Sequence, residues 1–453
     1  MRAGAAEIRL ELPDGIPMMG YGARTGRAAG EHDPLHVRAL WLEDGGGRVL
    51  IVQLEVCLLA VLQAEALRDR VARAAGLDPG EVWIAATHTH SGPETGIAES
   101  LAGEPPPAWM APVHHAAEAA ARGALHARVP ARAGLAVGRA EIGRNRREAD
   151  GDVDRDVVVL RVDAAEAGGD APLAVAFVHG THPTVLGHEN LAWSADWPGA
   201  AAARVREAFP TAVPLFLLGA HADVDPRTRG LQDLAVAGQS AGAGYEACQA
   251  LGREVGDAVV EAASKATLHD DWRVEARSAR VPLAVHGGAD DAAAERALAE
   301  RAAEAARALG LDPAEPLRVS RALALEAERT AGLDPDERRE RLARVRLFVR
   351  DRTAARIAGG RRPDVEVRLL RLGDAVWLGL PAEATAELGL AWKAGRPAGS
   401  ALLSNVGGWL RYLPHPDRFR APHAHHHYEV LMSTLEPEAA ARLLEAGAAL
   451  EAA

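Results

Sequence analysis

The pattern of apolar and polar positions divides the chain into strands and helices. Arg48-Val-Leu-Ile-Val-Gln-Leu-Glu-Val56 is a nearly continuous apolar run of strand length, as expected of a strand buried on both faces. Arg38-Ala-Leu-Trp-Leu-Glu43 precedes it, and Asp44-Gly-Gly-Gly47 between them is a turn signal. Over residues 64–75, Leu67, Val71 and Ala74 recur at helical spacing, and Gly76 is placed to cap the helix. Residues 82–86 form the next apolar strand. Strand, helix and strand at this length predict a βαβ unit, whose two strands run parallel.

The same grammar recurs downstream. Leu173-Ala-Val-Ala-Phe-Val178 runs into His179-Gly-Thr-His-Pro183. A helix follows near Trp197-Pro-Gly-Ala-Ala-Ala-Ala203, with Ser194 or Asp196 as its N-cap. Leu215-Phe-Leu-Leu218 runs into Gly219-Ala-His-Ala-Asp-Val-Asp-Pro226, and residues 245–263 are helical. Residues 365–372 and 375–380, joined by Gly373-Asp374, read as a hairpin ending in Pro381-Ala-Glu383. Ala401-Leu-Leu-Ser-Asn405 leads into an irregular loop containing Tyr412 and Tyr428. The Ala/Glu/Arg-rich stretch 289–358 reads as surface helices forming a cap or insertion. No repeat period or low-complexity linker stands out. The expectation is one α/β domain over residues 1–453, with a mixed, largely parallel sheet flanked by helices.

Composition narrows the function classes. Of 453 residues, 48% are hydrophobic and 25% charged, enough apolar surface to build a core. A formal charge of −12 argues against a nucleic-acid partner, which requires a basic face. Cys57 and Cys248 supply neither a disulfide framework nor a cysteine zinc spacing. The apolar run 50–62 is interrupted by Gln53 and Glu55 and is too short to cross a bilayer, so no transmembrane segment is expected. The N-terminus lacks the apolar core of a signal peptide, which makes the cytoplasm the expected location. Composition leaves the oligomeric state open.

Chemistry concentrates at strand ends. In Thr87-His-Thr-His-Ser-Gly-Pro93, His88 and His90 are spaced i, i+2 and would point the same way from an extended backbone. A pair of solvated histidines at a strand terminus is the plain alternative. His179/His182, His221/Asp223/Asp225, Glu383 and Tyr412 end four further strands. Open α/β sheets gather ligands at such ends, and two histidines with a glutamate around zinc form a known hydrolytic arrangement. Zinc lowers the pKa of a bound water to roughly 7.

These residues resemble the neutral (alkaline, non-lysosomal) ceramidases, in the N-terminal catalytic domain. Thr87-His-Thr-His-Ser-Gly-Pro93 is similar to that family's most distinctive motif. His182-Pro-Thr-Val with Ser194-Ala-Asp196, Asp223-Val-Asp-Pro226, Pro381-Ala-Glu-Ala-Thr385 and Leu403-Ser-Asn405 with Tyr412 and Tyr428-Glu429 match further motifs in order. The resemblance implies zinc held by His88, His182, Glu383 and Tyr412, with His90, Arg146 and Tyr428 facing the substrate. Asp223 and Glu55 are candidate partners for the N–H groups of the ligand histidines. Three departures stand out. Val185 replaces a family serine, the tyrosine loop is longer, and the family's C-terminal β-sandwich domain has no counterpart, as in a short bacterial-type form. The implied function is a zinc-dependent hydrolase that cleaves an N-acyl amide, ceramide-like or another acyl-amine, through a metal-activated water.

Two alternatives are a metal-binding protein without turnover and a serine esterase. The latter would use Gly238-Gln-Ser-Ala-Gly242, which fits Gly-x-Ser-x-Gly but follows a weak strand. Eight regular βα repeats, needed for an amidohydrolase barrel, are not visible. Gly92 stands where a metallo-β-lactamase requires aspartate. The run His423-Ala-His-His-His427 reads as solvated or loop-packing histidines.

Overall fold

The fold was obtained as a computed structural model, which describes residues 1–101, 103–166, 171–229, 241–285, 364–421 and 427–453, with isolated positions between 300 and 342. In chain order the structure begins with β1 (Arg2–Arg9), β2 (His36–Glu43), β3 (Arg48–Leu54), α1 (Val61–Ala75), β4 (Val82–Ala86), α2 (Ile97–Leu101) and α3 (Ala111–His126). Next come β5 (Val129–Arg139), β6 (Gly143–Asn145), β7 (Asp156–Ala164), β8 (Pro172–His179), α4 (Trp197–Ala208), β9 (Val213–Leu218), β10 (Val224–Pro226) and α5 (Gly244–Lys265). The remainder comprises β11 (Val274–Pro282), β12 (Asp364–Leu372), β13 (Ala375–Gly379), β14 (Glu383–Ala384), α6 (Ala386–Lys393), β15 (Ala401–Leu403) and β16 (Tyr412–Leu413). Three helices close the chain: α7 (Pro416–Arg420), α8 (Tyr428–Met432) and α9 (Ala439–Ala452). The predicted helical insertion at 289–358 falls almost wholly outside the described residues, as do Gly238–Ser240 and His423–His426.

Eight strands form one sheet in the order β4-β3-β2-β1-β5-β7-β8-β9, and four form another, β11-β12-β13-β15. The architecture is the mixed α/β sheet flanked by helices that the sequence predicts, but its parallel share is smaller. In the large sheet only β3–β4 and β8–β9 are parallel. The other five pairings are antiparallel. Parallel neighbours need a crossover of a dozen or more residues, and in this sheet helical crossovers occur where α1 and α4 intervene. The β2–β3 connection is instead the predicted tight turn, with Asp44 Oδ1 accepting from the backbone N–H of Gly46 and Gly47, both at 2.7 Å. The β12–β13 hairpin also forms, turning at Gly373 with φ of 60°.

The layers follow from the alternation of side chains. One face of the large sheet (Leu50 and Val52 of β3) packs under α1 and α3, and the β7–β9 half (Val157 and Val159) packs under α4 and α5. The opposite face (Val49, Ile51, Trp83, Leu160 and Leu215) meets Leu370 and Trp377 of the smaller sheet. Trp83 and Trp377 are fully buried in that interface, and truncating either would cost about 3–5 kcal/mol. Leu378 and Leu388 lie in the outer cluster of the smaller sheet, where Leu443 of α9 also packs.

The edges of the large sheet explain the position of the site. Edge strands carry unpaired backbone groups that must be covered. Here the segment running out of β15 covers both. Ser404 donates to Leu218 of β9 at 2.8 Å, while Asn405 O accepts from Ala86 and Gly407 donates to Ile84 of β4. Bridges at Gly219–Leu403 and Ala85–Val406 complete the seam. The sheet therefore curls until its two edges share one segment, and residues following β4 and β9 meet.

Candidate metal centre

β4 runs beside β3 as far as His88, whose N–H donates to Val56 O at 3.0 Å. There the backbone breaks, because His88 has φ of 69°. The expected extended i, i+2 geometry is thus replaced by a left-handed kink, which nevertheless brings His88 and His90 together, their Nε2 atoms 3.3 Å apart. Asp196, Asn405 and Arg411 are the other non-glycine residues with positive φ among the described residues. Each such residue costs on the order of 1–3 kcal/mol, and strain of this kind clusters at functional sites. Here Asn405 Nδ2 lies 3.3 Å from His88 Nδ1, Arg411 O accepts from the N–H of Glu383 at 3.0 Å, and Asp196 organises the loop after His182.

Asp196 is the N-cap of α4, which settles the choice between it and Ser194. Its carboxylate accepts from Trp197 N at 2.8 Å, Val185 N at 3.1 Å and Leu186 N at 2.9 Å. Burial pushes this carboxyl up from an ordinary 3.8 to about 6, against the opposing effect of those three donors. A folded-state pKa raised above the unfolded value makes a contribution that is fully present below about pH 4 and is lost as pH rises through about 6. The difference is worth about 3 kcal/mol. Urea unfolding of wild type should therefore show stability falling over that window relative to an Asp196→Asn variant. Parallel pH profiles for the two proteins would contradict this assignment.

Four buried side chains converge. His88, His182, His221 and Glu383 place one potential ligand atom each within 4.8 Å of all the others. The three Nε2 atoms lie 3.4, 3.4 and 3.5 Å from a single oxygen, Glu383 Oε2. That oxygen has no hydrogen-bond partner, whereas Oε1 accepts from Trp409 Nε1 at 2.7 Å. Each Nδ1 lies within hydrogen-bond distance of a backbone carbonyl: His88 to Cys57 O at 2.9 Å, His182 to Val224 O and His221 to Gly219 O at 3.1 Å. Donation there turns the Nε2 lone pairs inward, the tautomer that metal-bound histidines adopt. Metal–ligand bonds of about 2.0–2.1 Å in a tetrahedron separate donor atoms by about 3.3–3.4 Å, so the residues present fit a divalent ion.

The charges agree with a site that binds a cation. Burial works against ionisation of Glu383, but the neighbouring histidines, His88 foremost, hold its carboxyl well below the carboxylate range. Burial, then His88 and His182, push His90 well below the ordinary histidine range, so it is neutral. His90 belongs with Cys57 and His88 to an adjoining cluster rather than to the four-membered group. Its ring packs edge-on to Tyr21 at 4.7 Å and against Gly20, where a Cβ would fall 2.3 Å from His90 Cγ. Gly20, with φ of 107° and no side chain, permits this approach.

Beyond Glu383 lies a tyrosine–arginine layer. Glu383 and Tyr412 are paired across β14 and β16. The Tyr412 and Tyr428 rings meet edge-on at 5.3 Å, and the Arg146 guanidinium lies 5.7 and 5.2 Å from their centroids. Arg146 also donates to Glu429 Oε1 at 2.9 and 2.7 Å, and Arg147 to Glu429 Oε2 at 2.5 Å. Asp225 lies 3.6 Å from both Arg146 and His182 Nδ1.

Two expected partners of the ligand histidines are engaged elsewhere. Glu55 pairs with Arg38 and accepts from His36 N at 2.6 Å. Asp223 accepts from Asn145 at 2.9 Å, Arg147 at 3.1 Å and Ala386 N at 2.8 Å. Main-chain carbonyls lie closer to the ring nitrogens than any side-chain carboxylate does. His179 is also away from the cluster, its Nδ1 3.0 Å from Asp156 O.

No protein-family model matches the sequence, and no curated protein matches it. Solved structures do match. A ceramidase complexed with C2 aligns over 100% of this chain and 75% of its own, with 17% identity and a TM-score of 0.68. The neutral ceramidase from Pseudomonas aeruginosa aligns over 100% of this chain and 74% of its own, with 18% identity and a TM-score of 0.69. The likeness is one of architecture throughout the chain: this protein has the fold of the neutral ceramidases.

Proposed function

We propose that the protein is a ceramidase-like hydrolase of one domain that cleaves an N-acyl amide with the help of a zinc ion. The observation that carries this reading is the convergence of three buried imidazoles on one unpartnered carboxylate oxygen, within the ceramidase fold. His88, His182 and Glu383 would hold the ion; Tyr412, the fourth ligand implied by the resemblance, neighbours Glu383 across the β14–β16 pair. A bound divalent ion supplies Lewis acidity and an activated water at neutral pH.

The chain's own residues supply the remainder. Neutral His90 can first take a proton at Nε2, the atom that faces His88, from the attacking water and then give it to the leaving amine, returning to the neutral form. Arg146 and Tyr428 offer fixed donors for the negative charge that develops on an acyl oxygen, in a setting where Arg146 is already oriented by Glu429. Among the described residues no helix is long and apolar enough to cross a membrane, and the lipid amide named in the ceramidase resemblance remains the first substrate class to assay.

The test separates holding the ion from moving the proton. His90→Ala should retain one metal ion per chain by elemental analysis and lose about 10²–10⁴-fold in the rate of amine release. Loss of metal in that variant would place His90 among the ligands, and an unchanged rate would remove it from the reaction.

A further inference from the structure

We infer that His221 is a metal ligand, completing with His88, His182 and Glu383 a set of three imidazoles and one carboxylate that leaves Tyr412 outside it. This rests on the proposed metal site and alters its composition. His221 is fully buried. Its Nε2 has no hydrogen-bond partner, which is unfavourable for a buried polar atom unless something binds it. The atom lies 3.5 Å from Glu383 Oε2, equivalent to the 3.4 Å of His88 and His182. Its ring centroid is 4.4 Å from that of His182 and 5.0 Å from that of His88.

The backbone holds His221 in this position. The N–H groups of His221 and Ala222 both donate to Ala384 O at 2.9 Å, clipping the β9–β10 loop to the strand that carries Glu383. The same loop supplies Val224 O, 2.9 Å from His182 N and 3.1 Å from His182 Nδ1. One short loop thus brings a ligand of its own, orients a second and is fastened beside a third. Four protein donors are the number a tetrahedral ion takes, and the three imidazoles stand from Glu383 Oε2 at close to tetrahedral spacing. Tyr412 packs instead with Tyr428 and Ala222, beneath Arg146.

Cobalt substitution tests this by counting histidines. Each imidazole bound to Co²⁺ through Nε2 gives one strongly shifted, solvent-exchangeable Nδ1–H proton resonance. The full-length protein loaded with one equivalent of Co²⁺ should show three such resonances in H₂O that vanish in D₂O. His221→Gln should show two, and Tyr412→Phe should keep three and bind Co²⁺ with unchanged affinity. Two resonances in wild type would overturn the inference, as would three that fall to two in His90→Gln instead. A tenfold or greater loss of Co²⁺ affinity in Tyr412→Phe would overturn the exclusion of Tyr412. Failure of wild type to bind Co²⁺ at all would instead refute the metal site on which the inference rests.

Discussion

Glu383→Ala is expected to abolish both metal retention and amide hydrolysis. Glu383 Oε2 is the point on which three imidazoles converge, and it is the one anionic donor in the four-membered group. Without it the ion would face neutral nitrogens only. The affinity loss should exceed the roughly 10–100-fold typical of outer partners of metal ligands. Isothermal titration with Zn²⁺ measures this directly. The fold should survive, because removing the carboxylate also relieves the burial of a charge and leaves only Trp409 Nε1 without its acceptor. An alanine variant that binds zinc like wild type would show that the carboxylate is structural.

The second large effect is on stability. Glu429 is fully buried and accepts from both Arg146 and Arg147. Burial opposes its ionisation, yet the two guanidinium groups hold its carboxyl below the ordinary range. Glu429→Ala would leave one buried cation, Arg146, and one partly buried cation, Arg147, short of a counter-ion. Asp225, at 3.6 Å from Arg146, and Asp223, at 3.1 Å from Arg147, offset part of this loss. Breaking a buried ion pair from one side costs about 3–5 kcal/mol. Urea unfolding should register a loss of that size. A change below about 1 kcal/mol would mean that the arginines can relax to water, so that Arg146 is not held for a role at the site.

Much of this arrangement was legible in the sequence, for identifiable reasons. Strands buried on both faces write continuous apolar runs, so β3, β4, β8 and β9 could be placed, and the polar residues that end them stood out. The parallel share of the sheet was overestimated because strand direction depends on connections. The long passage from β1 to β2 contains no helix among its described residues that would reveal how it returns. The kink at His88 was not legible either, since nothing in a histidine codon position announces φ of 69°. His221 was visible as cargo at a strand end, but its partners His88, His182 and Glu383 come from separate elements that meet only where the seam along Leu403–Gly407 joins the two edges of the curled sheet. That closure is a tertiary event without a local sequence signal. Glu429 is adjacent to Tyr428 in the sequence, yet its pairing with Arg146 spans 283 residues and has no local signal.

The central claim is that a metal ion in this cluster drives amide cleavage. It is tested most directly by the rate of amine release from an N-acyl amide, read on the full-length protein stripped by a chelator and then titrated with zinc. The account predicts no release from the stripped protein and recovery that reaches its plateau at one equivalent. Full activity without metal, or stoichiometric zinc binding with no release from any N-acyl amide supplied, would contradict it.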